Sequence, residues 1–204
     1  MFLVVCGMLF GCAGEVGPRG PAGGPAPAPS LTSVEQLIAV ENEYRSLVGQ
    51  LPLARGLTCT LYTVPNGSAG IVGTALTTVA SYSYLGNFNQ PNVSASEGLN
   101  ILPPALRAAY TSWFVVRCSG KIVVTTANYY LFELMSDDGS MLYINGSLLI
   151  NNDGNHAPVT KSASKLLRQG VHDIRLDYMQ GPGGGEALSL SAGGSLIPSE
   201  VLYR

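Results

Sequence analysis

The chain has 204 residues, carries a net charge of −2 and is only 12% charged. Its Lys and Arg residues form no run or stripe, which excludes a nucleic-acid footprint. The 25 glycines and 13 prolines favour turns and strands over long helices. After the first dozen residues no window holds the roughly 18 apolar residues that a spanning helix needs.

Residues 1–11 read as a leader. Met1 to Phe10 is apolar, and the run closes on small residues, as a secretory leader does. Leu9-Phe10-Gly11-Cys12 resembles a bacterial lipobox, in which the Cys becomes the lipidated first residue of the mature protein. No Lys or Arg precedes the apolar run, so an ordinary cleaved leader with an incidental Cys12 is the other reading. The expectation is lipidation at Cys12, giving an exported outer membrane lipoprotein, periplasmic or surface-exposed, that meets the membrane through its lipid anchor. Cys59 and Cys118 then remain in the exported domain. Such a pair is usually a disulfide; the alternative is two buried thiols.

Residues 12–30 read as a stalk. Gly14, Gly17, Gly20 and Gly23 recur at every third position, the collagen spacing. Pro25, Pro27 and Pro29 follow as an extended spacer. The tract lifts a domain off a membrane or seeds a homotrimer. Residues 31–50 read as one short amphipathic helix. Ser33 with Gln36 makes a capping box, Leu37, Val40, Tyr44 and Leu47 form a stripe at three- and four-residue spacing, and Gly49 stops it. Two heptads fall short of a coiled coil. The stripe packs on the chain's own domain or on other copies.

From residue 57 the period changes to two. Leu57, Cys59 and Leu61 alternate with Thr58, Thr60 and Tyr62. The Gly/Asn/Ser-rich segment 65–112 reads as loop. Strands are then predicted over 113–117, 121–125, 129–135, 140–144, 148–150, 171–179 and 187–191. In 171–179, Ile174, Leu176 and Tyr178 alternate with Asp173, Arg175 and Asp177, the mark of a sheet with one wet face. Many short strands with close turn signals make an all-β sandwich or barrel over 56–204.

The chemistry concentrates at Ser136-Asp137-Asp138-Gly139, followed by Asn151-Asn152-Asp153-Gly154. Asp-Gly and Asn-Asp-Gly are strong turn signals. Two adjacent carboxylates also suit a hard cation. Tyr129, Tyr143 and Tyr178 fall on predicted strands as core candidates, whereas Tyr110 and Trp113 open a strand at a rim. There is no Gly-x-Ser-x-Gly elbow, no phosphate loop and no Cys-x-x-Cys. His156 and His172 are the only histidines. Neighbouring acids on one turn are poorly placed for glycoside hydrolysis, which needs carboxylates about 5–9 Å apart across a cleft. The chain therefore reads as a non-enzyme.

A series of segments carries a family resemblance. It runs Trp113-Phe-Val-Val-Arg-Cys-Ser-Gly-Lys-Ile, Asn128-Tyr-Tyr-Leu-Phe, Ser136-Asp-Asp-Gly-Ser-Met-Leu-Tyr-Ile-Asn-Gly, Asn152-Asp-Gly-Asn-His, Val171-His-Asp-Ile-Arg-Leu-Asp-Tyr-Met-Gln and Ile197-Pro-Ser, closing on Leu202-Tyr203. It resembles the protective-antigen N-terminal domain family, the PA14 domain, from about residue 56 onward. The resemblance implies a jelly-roll-like β-barrel or sandwich, export, and carbohydrate binding. In sugar-binding members two adjacent Asp residues, joined by a cis peptide, bind calcium; Asp137 and Asp138 match them. Calcium takes six to eight oxygens, so Asn152, Asp153 and Gln180 are the expected helpers at a glycan site. Fungal adhesins of the family place a ligating Asn in a later loop. Here that loop, 180–186, is Gln-Gly-Pro-Gly-Gly-Gly-Glu, with no Asn. The expected function is a lipid-anchored, adhesin-like module that uses calcium to bind a cell-surface glycan. The alternative is a non-catalytic assembly module that contacts an envelope protein, as a homotrimer.

Overall fold

The computed structural model describes residues 33–94 and 97–204. The leader, Cys12 and the Gly/Pro-rich stretch lie outside the described residues. Helix α1 (Val34–Leu47) starts at the capping box: Ser33 Oγ accepts from Gln36 N at 3.1 Å, and Gln36 Oε1 accepts from Ser33 N at 3.3 Å. It docks through Val34, Leu37 and Ile38 on Leu53, Val123 and Tyr203. Only Leu37 of the stripe joins that contact. Val40, Tyr44 and Leu47 are 50, 60 and 81% exposed, so most of the stripe does not pack on the domain.

Twelve strands follow among the described residues. One antiparallel sheet has the order β2 (Thr77–Tyr84), β1 (Leu57–Thr63), β4 (Phe114–Val124), β9 (Gly170–Gln180), β6 (Ser140–Ile144), β7 (Ser147–Asn152), with β12 (Leu202–Tyr203) also paired to β4. The other has the order β11 (Ser195–Leu196), β10 (Gly185–Ala192), β5 (Asn128–Asp137), β8 (Val159–Leu167), with β3 (Asn89–Ser94) also paired to β10. Leu57, Leu61, Phe114, Phe132, Leu134, Leu142, Leu176, Tyr178 and Leu188, each at most 1% exposed, fill the space between the sheets. Full burial of one such side chain stabilises the fold by about 1.5–3 kcal/mol. The result is a sandwich of two sheets and not a closed barrel.

Three elements differ from the sequence expectation. The predicted strands 113–117 and 121–125 are one continuous strand, β4. Gly120 does not turn the chain. A Cβ there would meet Tyr203 O at 2.2 Å, so the glycine admits β12 against β4. Segment 65–112 contains β2 and β3, and β8 occupies 159–167. β8 is exposed along most of its length, so it lacks the apolar alternation that marks a strand.

Cys59 on β1 faces Cys118 on β4 in register, and their sulfurs are joined, with Cα atoms 4.0 Å apart. The registers Thr63↔Phe114↔Gln180, Ser136↔Val159, Ser140↔Asn152 and Gly185↔Ser94 bring strand ends together at one pole. Five connections therefore emerge side by side: 64–76, the described part of the β3–β4 connection (97–113), 138–139, 153–158 and 181–184. The Asp pair lies among them.

Candidate functional site

β5 ends in one sheet at Asp137 and β6 begins in the other at Ser140, so residues 138–139 cross the end of the sandwich. The Asp137–Asp138 peptide is cis. The crossing is fastened from below. Ser136 Oγ and Ser140 Oγ are 2.7 Å apart, and Asn152 Nδ2 donates to Ser136 Oγ and to Val159 O, both at 3.0 Å. The Tyr178 hydroxyl lies between Asp137 O, 2.5 Å away, and Gln180 Oε1, sharing its proton with them. Gln180 Nε2 donates to Gly185 O at 3.1 Å.

The two carboxylates have different surroundings. Asp138, 6% exposed, accepts from His156 N at 2.9 Å and from Gly181 N at 2.8 Å. It thereby ties two of the loops together. Asp137 is 9% exposed. Its carboxylate accepts none of the hydrogen bonds found among the described residues. Burial, then the Asp138 charge, pushes its pKa up, against a pull from His156.

Gly181 and Gly185, at the two ends of the Gly-Pro-Gly-Gly-Gly stretch, each lie tight against one of the acids. A Cβ on Gly181 would meet Asn155 Oδ1 at 2.5 Å and Asp138 Oδ2 at 3.2 Å; one on Gly185 would meet Asn92 Oδ1 at 2.4 Å and Asp137 Oδ2 at 2.8 Å. Glycine lets the backbone approach, and two amide oxygens arrive beside the acids. Among the described residues no three acid, His or Cys side chains stand close enough to form a metal cluster. Beyond the Asp pair, the oxygens that flank Gly181 and Gly185 are the Asn155 and Asn92 amides. These are the hard, neutral oxygens that complete a calcium shell. A buried carboxylate without a donor, next to an amide oxygen, fits a cation.

The family model described as the PA14 domain matches residues 102–200. Residues 102–200 are a PA14 domain. Among solved structures, the PA14 sugar-binding domain from an RTX adhesin superposes with a TM-score of 0.55 at 19% identity, covering 74% of this chain and 99% of that one. The epithelial adhesin 9 A domain from Candida glabrata, in complex with Galb1-4GlcNAc, gives 0.52 at 14% identity, covering 74% and 90%. An anti-sigma factor domain-containing protein from Clostridium clariflavum gives 0.54 at 20% identity, covering 74% of this chain and 47% of that one. The chain thus spans about half of that last protein. At these identities the fold is what is shared. No curated protein matches the chain.

Within the PA14 domain, Asn152, Asp153 and Gln180 are part of the scaffold. Asn152 and Gln180 are fully buried and hydrogen-bonded inward. Asp153 accepts from Ile71 N at 2.6 Å, Val72 N at 3.0 Å and Gly154 N at 2.9 Å, strapping loop 64–76 to the site end. The residues that sequence reasoning missed are Asn92 and Asn155; Glu186 closes the later loop, where a substitute for the absent Asn was expected. Asn155 stands inside the Asn152-Asp-Gly-Asn-His motif. Asn92 had no local signal, because only the β3–β10 pairing carries it to Asp137. Glu186 points inward with Leu188 and Leu190, and neither carboxylate oxygen has a partner. Burial, then Asp137, pushes its pKa up to about 8, against Arg107.

Trp113, which precedes β4, has φ 56°. That left-handed conformation is an outlier for a bulky residue and costs on the order of 1–3 kcal/mol. Two bonds hold it: Trp113 N donates to Gly181 O at 3.1 Å, and Trp113 O accepts from Val64 N at 3.0 Å. Of the tyrosines, Tyr178 is core, Tyr129 is exposed and Tyr110 packs on the main core. Tyr143 carries the Arg175 guanidinium 3.6 Å above its ring. It lines a groove of about 480 Å³ with Thr58, Lys121 and Asp173. That groove lies on the other half of its sheet, away from the Asp pair.

Proposed function

We propose that the chain is an exported, lipid-anchored PA14 module that binds a cell-surface glycan through a calcium ion held by Asp137 and Asp138. The Asp137 carboxylate carries this reading: it is nearly buried, accepts from no donor among the described residues, and is set beside Asn92 Oδ1 at the pole where five loops meet. Calcium bound there would present its remaining coordination positions to vicinal hydroxyls of a sugar. Asp138 keeps loops 153–158 and 181–184 in place around the ion, and the glycines of 181–185 leave room for both acids. Asn92 and Asn155 stand in for the Asn that the later loop lacks. The sugar-binding adhesin domains among the structural neighbours support this use of the fold. The same neighbours support binding over catalysis. The Cys59–Cys118 bridge suits an oxidising compartment. The Leu-x-Gly-Cys12 sequence supports the lipid anchor at the outer membrane.

The test is a glycan array with the full chain in calcium and in chelator. Binding is expected in calcium, with loss in chelator and in Asp137→Asn. Binding that persists in chelator overturns the calcium role. One observation favours a second reading, assembly through α1. Val40, Tyr44 and Leu47 leave an apolar stripe in solvent. An array that stays silent, together with a trimeric mass in solution, selects it.

A further inference from the structure

Trp113 is the single tryptophan of the chain, and its position is unusual in three independent ways. Its backbone is held in the left-handed region by hydrogen bonds to Gly181 and Val64, although β4 begins only at the next residue. Gly181 serves both neighbours: its carbonyl accepts from Trp113 N and its N–H donates to Asp138 Oδ2. One residue, through its two flanking peptide groups, therefore ties the Trp113 backbone to the Asp138 carboxylate. The side chain packs on Val64, Ile71, Val115, Met141 and Met179 but stays partly in solvent. Its indole N–H donates in none of the hydrogen bonds found among the described residues. An indole supported from below, free at its polar edge and set at a rim suits a ligand with one apolar face and a fringe of hydroxyls.

We propose that Trp113 is the stacking platform of this site, receiving the C–H face of a hexopyranose whose hydroxyls turn toward Asp137. The assignment rests on the glycan-binding reading above. It explains the strained backbone as the conformation that carries the ring to the rim.

The full chain is titrated in calcium with methyl glycosides of glucose, galactose and mannose, exciting only the tryptophan. A saturable change in emission is expected for the sugar that binds. Trp113→Phe keeps a ring and is expected to bind within roughly threefold of wild type. Trp113→Asn, a residue that tolerates the left-handed region, is expected to weaken binding at least about tenfold while calcium still raises its melting temperature. Calorimetric binding without any emission change overturns the proposal and leaves the glycan reading standing. So does Trp113→Asn binding as wild type does. If Trp113→Asn does not fold, emission and Trp113→Phe decide. A wild-type chain that binds none of the three sugars by calorimetry, nor any glycan on the array, overturns both.

Discussion

A buried carboxylate with no hydrogen-bond partner makes the fold sensitive to pH. Glu186 faces Tyr178, Asp137 and Arg107, and its pKa stands at about 8 against an ordinary 4.5. The folded state therefore holds this proton more tightly than the unfolded chain does. Stability from this group is complete below about pH 4.5 and is lost as pH rises toward about 8. Asp137, also raised, adds in the same direction. Without added cation the melting temperature is expected to fall across that window, and Glu186→Gln is expected to flatten the fall. A profile unchanged by Glu186→Gln would exclude Glu186 as its source. Gly120 acts by contact instead. In Gly120→Ala the new methyl group meets Tyr203 O at 2.2 Å, so the β4–β12 pairing must open. A loss of about 1–3 kcal/mol is expected in urea unfolding, with faster amide exchange at Leu202 and Tyr203.

At the scale of elements, the β1–β4 bridge spans 59 residues. Closing a loop of that size in the unfolded chain is worth about 4 kcal/mol. The double variant Cys59→Ala, Cys118→Ala is expected to lose roughly that much, read from urea midpoints under two-state conditions. Elements were legible in the sequence where their cause is local. The α1 cap needs only Ser33 and Gln36, and β6 is bounded by Asp138-Gly139 on one side and Asn145-Gly146 on the other. Elements whose cause is distant were not legible. β4 reads from sequence as split at 118–120 because β12, which Gly120 accommodates, lies at the far end of the chain. β8 was missed because an edge strand keeps Lys161, Ser162 and Ser164 in water. The site divides in the same way. Asp137 and Asp138 announce themselves as neighbours, whereas Asn92 reaches them only through the pairing of β3 with β10.

For the whole molecule, the loop pole is one cooperative assembly. Asp153 joins 64–76 to 153–158, and Asp138 joins 153–158 to 181–184. Asp153→Ala removes a charged acceptor from two N–H groups of loop 64–76. A cost of about 1.5–3 kcal/mol is expected, together with faster amide exchange at Ile71 and Val72. Exchange unchanged at those two amides would show that the loop is held by packing alone.

α1 docks on Val123 and Val171, which pair at the end of β4 and β9 remote from Phe114 and Gln180. The 11 residues of β4 span about 36 Å between the two poles. A chain held at its helix and a ligand held at the Asp pair would therefore pull along the strands. The hydrogen bonds of β4 with β1 and β9 lie across that direction and share the tension as parallel rungs, instead of opening one after another. Cys59–Cys118 crosses the same seam covalently. This geometry suits a module that must keep its grip while the surfaces it joins are drawn apart.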